Sequence, residues 1–410
     1  QNSLRNSLLS NFAVTLVNDQ LSAYAYPANL AGAGFGLGSR SRGFTLSLSG
    51  YSDKQEALLE TLLQTLTAAD FQQERFDIIK AEMIRGWQNS ELQTPYVRLY
   101  GEVQALLVKP YWSNDESIAE VQTITLDEVK AFVPQMLASM RLDALYHGNA
   151  TEEDARALLA LVTRYLHPSA DAPQSTYGTV IDLPEQTRIV QEMAIAHDDS
   201  AIVIYMQADD DSLQQRALVN LLATLVSTPF FDKLRTEQQL GYVVNAGTMP
   251  ILNVNGLTMT IESPVADPLV LEARINAFLR DYEETLTNLS PDMFNDIKNG
   301  LVNDLRELPQ RLDALSGRYW GDILLEEFDA DSGLLMADAV DALTQEQVVE
   351  YYRTHVADPK ATRVVARSAG RNVQTAFQAA NDEPSDTVVI EAGHSNYDDF
   401  KAGKPEFTYP

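Results

Sequence analysis

A chain of 410 residues, 45% hydrophobic and 21% charged, with 20 glycines and 17 prolines, is long enough at ~150 residues per domain for two or three packed domains and is neither fibrous nor disordered. The absence of cysteine excludes disulfides, thiolate catalysis, Cys-ligated zinc and iron–sulfur clusters. Thirty basic residues against 58 acidic ones give a net charge of −28, which excludes electrostatic attraction to nucleic acid or anionic lipid and disfavours strongly anionic substrates.

Taken in order, the chain opens on Gln1 with no visible signal peptide, so a processed or partial chain is expected. A helix begins near Ser3, and its stretch Asn11–Tyr24 offers Phe12, Leu16 and Val17. The glycine-rich run Gly32–Gly38 resembles part of a dinucleotide loop. It leads, however, through Ser39–Gly43 into the alternating strand Phe44–Ser49, whereas a phosphate loop leads into a helix, so it reads as a strand packed on a helix. Thr125 with Glu128 has capping-box spacing, and a strand is expected at Leu142–Tyr146. Residues 167–178 read as a linker. Strands follow at Thr187–Ile195 and Ala201–Gln207. The uncharged run Ala217–Phe231 is shorter than the ~18 residues of a membrane span. The longer charge-free stretch Gln238–Ile261 is broken by Asn245, Pro250, Asn253, Asn255 and Gly256, which reads as a hairpin; no membrane insertion is expected. Leu271, Ile275, Phe278, Leu279, Tyr282 and Leu286 recur at helical spacing, Ser290-Pro291 and Thr344 with Gln347 mark helix starts, and Arg363–Arg367 closes with a strand. The region after Pro384 reads as a loosely packed tail.

These elements repeat. Leu21–Gly32, Gly43–Gly50, Leu66-Thr67 and Ile124-Thr125 find counterparts in the same order at Phe231–Gly241, Gly256–Ser263, Leu289-Ser290 and Leu343-Thr344. The fold class is therefore α+β, with two tandem helix-on-antiparallel-sheet copies, the first lacking opening strands. The expected division is 1–166, a linker at 167–178, 179–385, and a tail at 386–410.

Chemistry is sparse. The five histidines (147, 167, 197, 355 and 394) include no pair at the i, i+4 spacing that puts two imidazoles on one zinc, so H-x-x-E-H and H-E-x-x-H are both missing, and no metal ligand is assigned. There is no G-x-S-x-G elbow and no P-loop. The acids Glu326, Glu327, Asp329 and Asp331 read as a solvated loop. The most informative run is Pro229-Phe-Phe-Asp-Lys-Leu-Arg-Thr-Glu-Gln-Gln-Leu-Gly-Tyr-Val-Val244: a helix end, a loop and a strand, carrying a guanidinium fork at Arg235 and a phenol at Tyr242. Chemistry alone leaves two readings open, a structural pairing of Arg235 with a carboxylate and a ligand-facing role.

In that run the sequence resembles the C-terminal half of long, single-chain members of the pitrilysin/insulysin family of zinc metallopeptidases. Gly50-Tyr-Ser-Asp-Lys-Gln55 and Tyr319-Trp-Gly-Asp-Ile323 add support. The resemblance spans Ser3 to about Gly370. It implies a bowl of two similar domains that closes on an extended peptide, while zinc and the catalytic glutamate sit in an N-terminal half of the same polypeptide. It further implies that Arg235 and Tyr242 reach the peptide near the scissile bond and that Phe231 helps form a side-chain pocket. No cofactor is expected in these residues, zinc is expected in the full-length enzyme, and this part alone is expected to be inactive. A periplasmic or secreted setting is favoured by the resemblance, with the cytoplasm left open. The alternatives are a peptide-binding or processing-complex subunit without proteolysis and, further off, an unrelated α+β scaffold.

Overall fold

The computed structural model describes residues 3–138, 140–169, 171–172, 178–325, 331–374, 377, 383–385 and 387–409. Glu326, Glu327 and Asp329, and half of the stretch read as a linker, lie outside them.

The first copy opens with α1 (Leu4–Leu30), whose N-cap Ser3 accepts the Asn6 amide at 3.2 Å. The antiparallel hairpin β1 (Ala33–Arg40) and β2 (Gly43–Gly50) folds onto it. Asn18 of α1 pins this hairpin by taking both backbone groups of Leu37, at 2.7 and 3.0 Å. The glycine-rich run is thus a strand against a helix. Helices α2 (Gln55–Ala68), α3 (Gln73–Ser90), α4 (Pro95–Leu107), α5 (Asn114–Thr123), α6 (Leu126–Leu137) and α7 (Glu152–Leu166) follow, with the short β3 (Val108–Lys109) after α4. Thr125 and Glu128 form the expected reciprocal capping box.

The second copy begins with β4 (Gly178–Ile181), β5 (Arg188–Glu192) and β6 (Ser200–Gln207). Then come α8 (Leu213–Phe231), β7 (Val243–Thr248), β8 (Gly256–Ser263), α9 (Pro268–Thr287), α10 (Pro291–Arg306), α11 (Leu312–Leu324), α12 (Ser332–Asp341), α13 (Gln345–Tyr351) and β9 (Arg363–Ser368). Helix, hairpin and five helices thus recur in register from α1 to α6 and from α8 to α13. One polar device recurs with them. Lys80 on α3 donates to the carbonyls of Gln122 and Ile124 at the end of α5 while lying over Phe76, and Lys298 on α10 treats Asp341, Leu343 and Phe294 in the same way at the end of α12. Each ammonium supplies donors to carbonyls at a helix C-terminus, where the backbone has run out of its own.

Three expectations need correction. The large sheet, in the order β10-β5-β9-β6-β8-β7, is mixed and not purely antiparallel, because β5 runs parallel to both β9 and β10 (Val388–Glu391). The strand expected at Leu142–Tyr146 is irregular. Its counterpart β9 lies between β5 and β6; among the described residues the first copy has no such pair beside its two-stranded sheet, so a strand there would have no ladder to join. Finally, the C-terminal region is packed and not loose. Helix α14 (His394–Lys401) buries Tyr397 and Phe400, and β11 (Glu406–Tyr409) pairs with β4.

Two layers cover the large sheet. One face meets α8 and α9 through Ile202, Ile204, Met206, Leu257, Met259 and Ile261. The other meets α4, a helix of the first copy, through Ala201, Val203, Tyr205, Leu99, Val103 and Leu106. The central strand β6 is apolar almost throughout because it is buried on both faces. The helical stretch Leu213–Glu237 is long and apolar enough to cross a bilayer by composition, yet 56% of its most apolar window is buried in this core.

Lys401 is fully enclosed at the end of α14, with its ammonium donating to the Val108 carbonyl at 2.8 Å. Burial, aided by repulsion from Lys109 and opposed by Asp398, lowers its pKa to about 8. An unfolded lysine titrates near ~10.4, so between about pH 8 and 10 the unfolded chain binds more protons at this site and stability rises with pH. Below pH 8 the penalty is fully present. Thermal denaturation of wild type and Lys401→Met is therefore expected to show wild type gaining on the variant from pH 7.5 to 9.5. A pH-independent gap would show that burial does not act on this amine.

Candidate functional site

Helix α8 carries Pro229 within its last turn, where the ring nitrogen cannot donate to the carbonyl four residues back. That carbonyl, Leu225, accepts the Tyr282 hydroxyl at 2.7 Å instead, so the helix continues without an orphaned group. Beyond Phe231 it widens into a π-helical turn over Asp232–Glu237, of the kind that often marks functional segments. The chain then reverses. Gln239 adopts a left-handed φ of 53°, and the amides of Gln238 and Leu240 close back on Lys233 and Leu234 at 3.2 and 3.1 Å. Leu234 and Leu240 are both buried and anchor this turn in the core. Gly241 follows because nothing larger fits: a Cβ there would lie 1.9 Å from the Glu262 carbonyl oxygen.

With the turn locked by its leucines and its glycine, the remaining side chains point outward. Phe231 is 45% exposed, although its neighbour Phe230 is fully buried against Phe278. Arg235 is half-buried, and among the described residues no carboxylate pairs with it. The structural pairing considered for Arg235 is therefore not what the fold provides. Tyr242 is 53% exposed through its ring, but its hydroxyl is engaged. It donates toward Glu262 Oε1 and lies 3.0 Å from Asp199 Oδ2. The hydrogen bond to Glu262, then burial, then Asp199 hold the phenol well above its ordinary pKa. It stays a protonated donor across any physiological range.

Three residues around this phenol were not singled out from sequence. Glu262 closes β8, in which Thr258, Thr260 and Glu262 alternate with Leu257, Met259 and Ile261; it lies on the face away from α8 and is fully enclosed because α4 covers that face. Its second oxygen accepts the backbone amide of Tyr96, in the first turn of α4, at 3.0 Å. Asp199 arrives from the loop before β6. The only sequence signal was a carboxylate at the end of an otherwise uncharged strand.

The histidines serve local roles. His147 bonds Ser316 at 2.8 Å and meets Tyr319 edge-on, His197 accepts the Asp199 amide, and His355 stacks on Tyr351 and faces Asp209. Among the described residues no cluster of three or more His, Asp or Glu side chains could hold a metal ion. A shallow cleft lined by Lys109, Tyr111, Trp112, Asp398 and Glu406 contains none of the signature residues.

Two family descriptions match: the middle or third domain of the M16 peptidases over residues 1–120, and the PQQ synthase PqqF-like C-terminal lobe domain 4 over residues 221–320. Insulin-degrading enzyme of Bos taurus is 30% identical over 352 residues, a match covering 83% of this chain and 34% of the relative. The chain thus spans about a third of the length of the curated relatives it matches. Among solved structures, pitrilysin superposes with a TM-score of 0.87 at 21% identity, over all of this chain and 43% of that one. An inactive M16 domain from Pseudomonas fluorescens gives 0.64 at 17% identity, over 87% of each chain.

Proposed function

Because this chain belongs to the pitrilysin-type M16 peptidase family, as the half that carries its third and fourth domains, we propose that it forms the non-catalytic wall of a peptide-binding chamber and steadies an extended substrate through Arg235, Tyr242 and Phe231. The observation that carries this reading is the guanidinium of Arg235, unpaired among the described residues, on the same turn as the outward ring of Tyr242, with Leu234 and Leu240 locked inward. A half-buried arginine without a carboxylate keeps its full donor fork for a peptide carbonyl, and a phenol barred from ionising keeps the hydrogen that it can turn from Glu262 to a substrate oxygen. Phe231 supplies an apolar surface for a substrate side chain. In the assembled enzyme, zinc held by the other half supplies the activated water. The role of this half is to bind, orient and donate hydrogen bonds.

The test uses the chain itself and an unstructured, uncharged ten-residue peptide followed by fluorescence polarisation. Arg235→Ala is expected to weaken binding about tenfold or more, since hydrogen bonds to a charged group contribute roughly 1.5–3 kcal/mol, with an unchanged circular dichroism spectrum. Equal affinity for wild type and variant would remove Arg235 from the site. A second reading, a binding subunit with no proteolytic role, draws on the fold shared with the inactive M16 domain. Hydrolysis appearing on addition of a zinc-bearing family N-terminal half would exclude it.

A further inference from the structure

The surroundings of the Tyr242 hydroxyl assign a role to a residue outside the signature. We propose that Glu262 is the positioning residue for Tyr242: it fixes the phenol by holding its hydroxyl with one carboxylate oxygen while the other is anchored to the first turn of α4. This rests on the reading of Tyr242 as a substrate-facing donor and adds to it the part that aims the donor.

Four observations converge. Glu262 is fully enclosed, so its carboxylate has no water to rotate toward, and both of its oxygens are taken by protein donors, the Tyr242 hydroxyl and the Tyr96 amide. The Tyr96 amide is one of the orphan donors of a helix N-terminus, where backbone dipoles favour a carboxylate. One turn on, the Tyr100 hydroxyl meets Thr260 Oγ1 at 2.7 Å, so α4 is held in register with the strand that carries Glu262. Gly241 lies in backbone contact with the Glu262 carbonyl, which fixes how far Tyr242 can move from β8.

Asp199 has a different part. A phenol has one hydrogen, and here two carboxylates face it. Asp199 is half-buried and belongs to a loop that also holds the exposed Arg371–Asp198 pair, so it is the acceptor that can give way. Glu262 cannot.

The experiment places 3-fluorotyrosine at position 242 and reads its 19F resonance together with the affinity for the ten-residue peptide. In the wild-type chain the resonance is expected to be displaced from that of the urea-denatured chain. Glu262→Ala is expected to shift it toward the denatured position and weaken the peptide about as much as Tyr242→Phe, whereas Glu262→Gln, which keeps an acceptor, restores most of both. Because Glu262 acts through the phenol, Glu262→Ala combined with Tyr242→Phe should be no worse than either alone; a merely structural residue would give additive losses. Additive losses, or a resonance unmoved in Glu262→Ala, would overturn the proposal. Should that variant not fold, a wild-type resonance coinciding with that of the denatured chain would overturn it too. If the resonance responds as described while Tyr242→Phe leaves peptide affinity untouched, the positioning stands and the substrate-facing role of Tyr242 falls.

Discussion

Replacing Arg367 with leucine is expected to remove about 3–5 kcal/mol of folding stability, a large share of the 5–15 kcal/mol available to a native protein. Its side chain is completely buried in β9, between Glu192 of β5 at 2.6 Å, Glu383 at 2.5 Å and Glu272 of α9 at 3.4 Å, with the Phe377 ring beneath the guanidinium. Arg188 shares Glu272 and Glu383 but makes no bond to Glu192. Three carboxylates therefore converge on two guanidiniums in the interior. The pairing is no proof that the network stabilises the fold relative to an apolar one, since desolvation of the ions offsets most of their attraction. Deleting a single partner is another matter: Glu272 and Glu383, 10% and 13% exposed, remain in the interior and share one guanidinium, that of Arg188, where they had shared two. The cost comes from stranding a buried charge more than from losing a bond. Urea denaturation measures it, with Arg306→Ala as the exposed comparison. Arg306 pairs with Asp338 at 2.8 Å on the surface, where loss of a bridge costs 0–1 kcal/mol. A midpoint for Arg367→Leu as close to wild type as that of Arg306→Ala would show that the interior compensates these acids by other means.

What could be read from the sequence was what neighbours along the chain decide. The capping boxes at Thr125 and Thr344 follow from three-residue spacing, the hairpin strand β8 from alternation, and the duplication from the order of such local signs. Tyr242 was marked out by the resemblance that its run carries. What stayed hidden depends on which surface arrives from elsewhere. Alternation along β8 says that Glu262 faces away from α8, and in an isolated hairpin that side is water. Only the tertiary fold brings α4, more than 150 residues earlier, over it and turns a surface acid into a buried one. The expected strand at Leu142–Tyr146 failed for the converse reason: its local pattern matches β9, but a strand exists only where a ladder receives it. The C-terminal region looked loose because its glycines and proline are local signals, while the burial of Ile390, Tyr397 and Phe400 is supplied by α4 and the strands around it.

In an enzyme assembled from this chain and a zinc-bearing N-terminal half, Tyr242→Phe is expected to lower kcat by ~10²–10³, about 3–4 kcal/mol, with little change in KM. The reasoning starts from what the substitution leaves alone. The ring is 53% exposed, the turn is held by Leu234, Leu240 and Gly241, and none of these contacts uses the phenolic oxygen. The change deletes one donor whose worth depends on the charge it meets. Toward a ground-state peptide carbonyl it resembles any neutral hydrogen bond; toward the oxyanion formed when water adds to that carbonyl it is charge-assisted, and the difference appears in kcat. The ring is already in place, but its one hydrogen rests on Glu262 and must swing from that carboxylate to the oxyanion as the charge develops. The same carboxylates set the pH behaviour. They raise the phenol's pKa, so the donor form persists as pH rises, and the alkaline limb of the rate profile should not come from this residue. Steady-state kinetics on a short peptide from pH 6 to 9, with melting curves recorded alongside, decides the matter. A kcat within threefold of wild type, or a loss confined to KM, would mean that the phenol only helps to hold the substrate and that the oxyanion is met by another donor.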